Sequence, residues 1–171
     1  DSICLMPTNL YGPGDNYHPK NSHVIPSLIK RFHDAKSTNK SEVICWGSGN
    51  PRREFLHVED LAEASIFTLR YWNPKLEKGT LSKNVSSQLH INVGTGKDLT
   101  IRELAEEIAS IIGYAGEIKW DSTKEDGTPQ KLLDVSKLKK MGWTSKIDLE
   151  KGLRDTVENF KEELTSGKLR I

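Results

Sequence analysis

Short apolar runs, each followed by a turn and then by a longer stretch with helical spacing, recur along this chain. That alternation limits the folds open to it more than any other feature. Residues 3–6, 43–46, 53–57, 90–93 and 117–120 have strand length and strand composition. Between them, apolar residues fall at the three- and four-residue intervals of one helix face. Val24, Ile25, Leu28, Ile29 and Phe32 form one such face, and Leu61, Ala64, Ser65, Thr68 and Leu69 a second. Ile101, Leu104, Ala105, Ile108, Ile111 and Ile112 form a third. Residues 135–141 predict a short helix stopped by Gly142, and Leu149, Leu153, Val157, Phe160 and Leu164 predict a last one. Strand, loop and helix in repeated succession is the pattern of an α/β fold, not of a bundle or a sandwich.

Local signals place the boundaries. Pro7 is expected to end the first strand, since proline cannot donate to a ladder, and residues 7–22 to form a loop. Ser22 is the expected N-cap of the first helix, with Pro26 tolerated in its first turn. Residues 36–42, 73–87 and 121–131 are polar and predict loops, the second a surface excursion. Glu59 and Asp60 suit the positive end of a helix dipole. Thr100 and Glu103 have capping-box spacing, and Gly113 is the expected C-terminal glycine of that helix. Gly94-Thr95-Gly96 ends a strand ahead of the Thr100 helix and reads either as a phosphate cradle or as a structural turn, with Asn92 expected to be structural beside it.

The chain has 171 residues, enough for one domain with a real core. Its 25 basic and 24 acidic residues give no electrostatic reason to expect nucleic acid or an anionic membrane as partner. No apolar run approaches the ~20 residues that span a bilayer. Two cysteines, Cys4 and Cys45, do not make a disulfide framework, and a reducing cytoplasm is the default expectation. The histidines lack metal-ligand company, so no metal is expected. No Gly-x-Gly-x-x-Gly follows a strand, so a complete dinucleotide fingerprint is absent from this sequence. With 35% hydrophobic and 29% charged residues, the chain reads as the second half of an enzyme whose most apolar sheet lies elsewhere.

Candidate chemistry begins at the end of the first strand, where α/β proteins place ligands. Pro7-Thr8-Asn9-Leu10 follows that strand directly, in a segment rich in Gly, Pro, Asn and His. Asn9 could equally bond backbone in a strand-ending turn. His23 carries the side chain whose ordinary titration lies nearest neutrality, as proton transfer requires; alone it could merely occupy a first helical turn. Guanidinium groups such as Arg31 and Arg53 can bind diphosphate oxygens in bidentate fashion, and an indole such as Trp46 can pack on a sugar or base. Taken singly, Arg31 reads as a solvated helix residue and Trp46 as a core residue. Asp126 and Lys131 lie in a polar loop, where both could be solvated.

Five segments, in order, carry a resemblance: Pro7-Thr-Asn-Leu-Tyr-Gly-Pro, Asn21-Ser-His-Val-Ile-Pro, Trp46-Gly-Ser-Gly-Asn-Pro-Arg-Arg-Glu-Phe-Leu-His-Val-Glu-Asp, Asn92-Val-Gly-Thr-Gly and Asp126-Gly-Thr-Pro-Gln-Lys-Leu-Leu-Asp. Together they resemble the GDP-L-fucose synthases, an epimerase–reductase branch of the extended short-chain dehydrogenase/reductase family, over residues 3–164. The Arg-Glu-Phe-Leu-His-Val block is shared more loosely with other nucleotide-sugar epimerases and dehydratases.

The resemblance implies the C-terminal part of an NAD(P)-binding Rossmann-like fold, mainly the smaller substrate-binding domain. Residues 1–22 would end the Rossmann domain, and residues 23–171 would form the substrate domain, with some segments returning to the Rossmann sheet. It implies 3,5-epimerisation and NADPH-dependent 4-reduction of GDP-4-keto-6-deoxy-D-mannose, by a cytoplasmic homodimer. His23 matches the family's catalytic acid/base and also a cofactor contact. Pro7, Thr8, Asn9 and Leu10 match the segment beside the nicotinamide. Arg31, Trp46 and Arg53 match positions that hold the GDP moiety. Asp126 matches the loop that closes on guanine or ribose, and Lys131 a phosphate partner. The family's Ser, Tyr, Lys and Cys would precede Asp1, so the fragment alone is expected to be inactive. Cys4 does not match the catalytic Cys and is expected to be a small buried residue. The alternatives are another nucleotide-sugar epimerase or 4,6-dehydratase, or a non-catalytic nucleotide-sugar-binding protein.

Overall fold

The expected alternation is realised in three small sets of paired strands with helices packed between them. The computed structural model describes residues 2–73 and 90–171; the expected excursion at 73–87 lies almost wholly outside them. Strand β1 (Cys4–Pro7) pairs in parallel with β5 (His90–Val93). Strand β2 (Asn9–Tyr11) pairs in parallel with β4 (Arg52–His57), which also carries β6 (Asp98–Thr100) antiparallel and β8 (Gln130–Lys131) parallel. Strand β3 (Glu42–Trp46) pairs in parallel with β7 (Glu117–Asp121). Among the described residues the helices are α1 (Val24–Ser37), α2 (Val58–Tyr71), α3 (Ile101–Ile112), α4 (Ser136–Lys140) and α5 (Leu149–Ser166).

Two cores form. In the larger, Ile25, Ile29 and Phe32 of α1 meet Leu104 and Ile108 of α3 and Leu153, Val157 and Phe160 of α5, above Val43 and Cys45 of β3. These are the apolar faces that the helical spacing marks, except that Leu164 of α5, and Leu69 on the marked face of α2, are exposed. The second gathers Leu56, Ala64, Ile91, Val93, Leu138 and Trp143, joining β1 and β5 to α2 and α4.

The caps explain where the helices sit. Thr100 and Glu103 form a complete capping box at α3, and Gly113 closes that helix at φ 74°, a left-handed conformation that favours glycine. At α2 the His57 imidazole accepts from the Glu59 N–H. Asp60, read from sequence as a dipole residue, is also a buried tether: its two oxygens accept from the backbone N–H of Lys146 and Ile147, each at 3.0 Å.

Several expectations are corrected. His23, not Ser22, is the N-cap of α1, and its imidazole makes no capping bond. Pro7 ends β1 as expected, but from within the strand, where it pairs with Val93 and so is not yet loop. β1 pairs only with β5 among the described residues, so a missing N–H on its other side costs no ladder bond. Residues 7–22 are not all loop, because Asn9–Tyr11 adds to β4. Helix α1 runs to Ser37, into the segment expected to be loop. The polar stretch 121–131 begins in β7 and ends in β8. Cys4 is exposed, not buried, on a strand of which three of four residues remain exposed.

Candidate active site

Four of the residues singled out in the sequence converge on one cleft of about 260 Å³. Asn9 comes from β2, Trp46 from the end of β3, Arg53 from β4 and Asp126 from the loop after β7; Glu125 and Gly127 complete the rim. A second groove of about 540 Å³ adjoins it, lined by Lys20, Ser22, Arg31, Cys45, Trp46 and Trp120 among others. Val24, Trp46 and Ile101 are common to both. His23 immediately precedes Val24, is exposed, makes no side-chain capping bond and lines neither cleft.

Trp46 is 70% exposed, which removes the core reading and leaves an open indole face. The Lys124 ammonium lies 6.0 Å from its ring centroid. Arg53 is held by backbone: its Nη1 donates to the carbonyl oxygens of Arg52 at 2.7 Å and Thr128 at 2.6 Å. Arg31 donates from Nη1 to the Ile44 carbonyl at 3.0 Å, which fixes a cation beside Trp46. Burial pushes the Cys45 thiol up against the opposing pull of the Arg31 guanidinium, so this sulfur is not an activated nucleophile.

Thr8 and Asn9 are arranged by a single atom. The Glu54 carbonyl accepts from Thr8 Oγ1 at 3.1 Å and from Asn9 Nδ2 at 2.8 Å. Asn9 thus bonds a neighbouring strand instead of its own turn. Pro7 and Asn9 stay exposed beside this anchor, at the carboxyl end of β1. Leu10 turns away and packs against the second core. Lys131 lines neither cleft; it lies on β8 as the register partner of Arg53, on the same sheet face. Another cleft of about 350 Å³, between β6 and the start of α5, holds none of the candidate catalytic or binding residues.

Two residues with a large part in the site escape sequence reasoning. Glu54 is fully buried; its Oε1 accepts from the Gly96 N–H at 2.7 Å and its Oε2 from the Leu133 N–H at 3.0 Å. It braces the Gly94-Thr95-Gly96 turn, and a Cβ at Gly94 would collide with it. The strand Arg52–His57 carries Arg52, Arg53 and His57 as well, so a carboxylate there gave no clear signal of burial. Ser48 holds Asp126 through two bonds, N–H to Oδ1 at 2.9 Å and hydroxyl to Oδ2 at 2.6 Å. Those bonds hold the Asp126 carboxyl below the usual carboxylate range.

Asn92 is structural, donating to the Asp134 carbonyl at 3.0 Å. Among the described residues no group of three His, Cys, Asp or Glu side chains is placed to hold a metal ion, and no helix is long and apolar enough to cross a membrane.

Residues 1–85 match the model of the NAD dependent epimerase/dehydratase family. The chain is 54% identical over 163 residues to GDP-L-fucose synthase of Escherichia coli (strain K12), covering 95% of this chain and 49% of that protein. It is 49% identical over 168 residues to probable GDP-L-fucose synthase 1 of Oryza sativa subsp. japonica, covering 98% and 47%. The fold superposes on a GDP-6-OMe-4-keto-L-xylo-heptose reductase of C. jejuni with a TM-score of 0.82 at 32% identity, covering 94% of this chain and 54% of that one. It superposes on an NADP-bound GDP-L-fucose synthetase of Naegleria fowleri with a TM-score of 0.81 at 25% identity, covering 97% and 48%. The chain spans about half the length of the curated relatives it matches. Sequence and fold agree in these comparisons: over residues 1–85 the chain belongs to the NAD dependent epimerase/dehydratase family.

Proposed function

We propose that this chain is the C-terminal portion of a GDP-L-fucose synthase, which epimerises GDP-4-keto-6-deoxy-D-mannose at C3 and C5 and reduces it at C4. The observation that carries the reading is the convergence of Asn9, Trp46, Arg53 and Asp126, from four separate segments, on one cleft. Relatives that bear this name are about half identical to the chain. In this reading residues 1–22 end the cofactor domain and residues 23–171 form the substrate domain. The parallel pairing of β5 with β1 supports a return of the chain to the cofactor half.

The roles follow from the chemistry. The 4-keto group acidifies the protons on C3 and C5. His23, exposed at the start of α1 with its imidazole uncommitted to capping, exchanges a proton with those carbons. Arg53 and Arg31 neutralise diphosphate oxygens, with Lys131 adding charge beside Arg53. Trp46 offers its exposed face to sugar or base. Asp126 accepts from the donor edge of guanine. The exposed Pro7 and Asn9, with Thr8 fixed by the Glu54 carbonyl, fit a strand end that meets a nicotinamide and its ribose; His23 closes that side. NADPH, when bound, supplies the hydride for C4. A cytoplasmic homodimer is part of the same proposal.

The test uses the complete protein that contains this chain. Incubated with GDP-4-keto-6-deoxy-D-mannose in D₂O without NADPH, the parent should incorporate deuterium at C3 and C5. His23→Gln should lose that incorporation while GDP-sugar binding persists. Incorporation at the parent rate would overturn the role of His23, and failure of the parent to accept the GDP sugar would overturn the proposal.

A further inference from the structure

Asp126 lines the cleft, whereas Ser48, which grips it from behind, does not. We propose that Ser48 is a positioning residue for base recognition, orienting the Asp126 carboxylate so that its remaining lone pairs face the cleft. The inference rests on the reading of Asp126 as the partner of the guanine base.

The geometry is built for this task. Gly47 and Gly49 both adopt left-handed φ, 78° and 79°, so the turn delivers the residue between them toward the Asp126 loop. A Cβ at Gly47 would collide with Asp126 Oδ1, and one at Gly49 would press on the Trp120 ring. The Ser48 hydroxyl accepts from the Asn50 N–H at 3.1 Å, which leaves its own proton aimed at Asp126 Oδ2. Its carbonyl accepts from Arg102 Nη2 at 2.6 Å, and that guanidinium is seated over Trp120, 4.7 Å from the ring centroid. Ser48 is therefore held at its hydroxyl and at its carbonyl before it meets Asp126. The Asp126 loop is fastened at both ends, by Lys124 N–H to the Asp121 carbonyl at 3.1 Å and by Arg53 to Thr128.

A carboxylate offers about four acceptor positions. Ser48 occupies one on each oxygen, which leaves one on each oxygen for a ligand. Guanine presents two parallel donors, the ring N1–H and the exocyclic amino group, and such a pair matches the two that remain. An exposed carboxylate left alone must be ordered when the ligand arrives, and ordering lowers affinity; one held beforehand escapes that penalty.

The experiment measures binding of GDP and of inosine diphosphate, which lacks the exocyclic amino group, to the complete protein by calorimetry. Asp126→Asn should lower the GDP-to-inosine-diphosphate affinity ratio by about tenfold, the scale of one charge-assisted bond. Ser48→Ala should lower the same ratio by about three- to tenfold, the scale of one lost bond or less, and Ser48→Thr should restore it. If Ser48→Ala melts below the assay temperature, Ser48→Cys replaces it, keeping the volume without the strong donor. A lowered ratio for Asp126→Asn with an unchanged ratio for Ser48→Ala overturns the positioning role and leaves the Asp126 reading standing. Equal weakening of both nucleotides by Ser48→Ala overturns it too, since Ser48 would then only hold the loop. An unchanged ratio in Asp126→Asn overturns the base reading itself.

Discussion

Replacing Glu54 by Gln tests whether the buried carboxylate is the brace under the site. The substitution keeps size and shape and changes only what the two terminal atoms offer. In the parent both oxygens accept, one from the Gly96 N–H and the other from the Leu133 N–H, and Thr95 Oγ1 approaches the first at 3.4 Å. A glutamine amide presents one acceptor and one donor group. Whichever way it turns, one backbone N–H faces another donor in a fully buried place. The loss is one charge-assisted bond with a stranded donor, about 2–3 kcal/mol. At about 1–2 °C per kcal/mol for a protein about twice this length, the melting temperature should fall by about 2–6 °C. Thermal unfolding of the complete protein by circular dichroism reads it. A midpoint within about 1 °C of the parent, on the same scale, would refute the claim that Glu54 braces the Gly94-Thr95-Gly96 turn.

Two further outcomes are open to measurement. Arg53→Ala should weaken GDP-sugar binding by about 1.5–3 kcal/mol, the scale of hydrogen bonds to charged groups, and unchanged affinity by calorimetry would remove Arg53 from the diphosphate site. The Asp126 side chain should titrate below the ordinary aspartate range because Ser48 donates to it twice. A folded-state value depressed in this way makes the clamp fully effective above the ordinary range and loses it as pH falls through the depressed value. Carbon-detected titration should show Asp126 rising toward the ordinary range in Ser48→Ala, which keeps the backbone N–H bond and loses the hydroxyl one; an identical titration in parent and variant would contradict the clamp.

The helices and longer strands were legible in the sequence because their signals are local. The capping box at Thr100 and Glu103, the glycine at 113 and the apolar face of α3 all lie within one short stretch. What stayed hidden depends on distant partners. Strands β2, β6 and β8 have two or three residues each, too few to show a period, and exist because β4 offers them a ladder. Ser22 has the better capping side chain, yet His23 takes the extended backbone at the N-cap, leaving its imidazole for other use. Trp46 and Arg53 were nameable as ligand-binding types, but only the fold shows that they share a cleft. Glu54 and Ser48 were not nameable, since their partners lie 42 to 79 residues away.

Strand β4 shows why the site depends on register. Three successive residues serve three ends. Arg52 reaches Asp98, its Nε donating to Oδ1 at 2.9 Å, and Gln130 grips the other oxygen of the same carboxylate, tying β8 and the Asp126 loop to β6. Arg53 faces the cleft. Glu54 turns inward to brace the glycine turn, while its carbonyl aligns Thr8 and Asn9. Side chains alternate along a strand, so a slip of one residue would carry Glu54 into the cleft or Arg53 into the interior. Slipped one way, the strand would set the Glu54 carboxylate where the Arg53 guanidinium lines the cleft; slipped the other way, it would set that guanidinium against the N–H groups of Gly96 and Leu133. Both outcomes are unfavourable, and β4 is locked against them from both sides: Arg53 pairs with Leu99 on β6 and with Lys131 on β8. The same two short strands that sequence periodicity cannot detect therefore determine which charge the cleft presents.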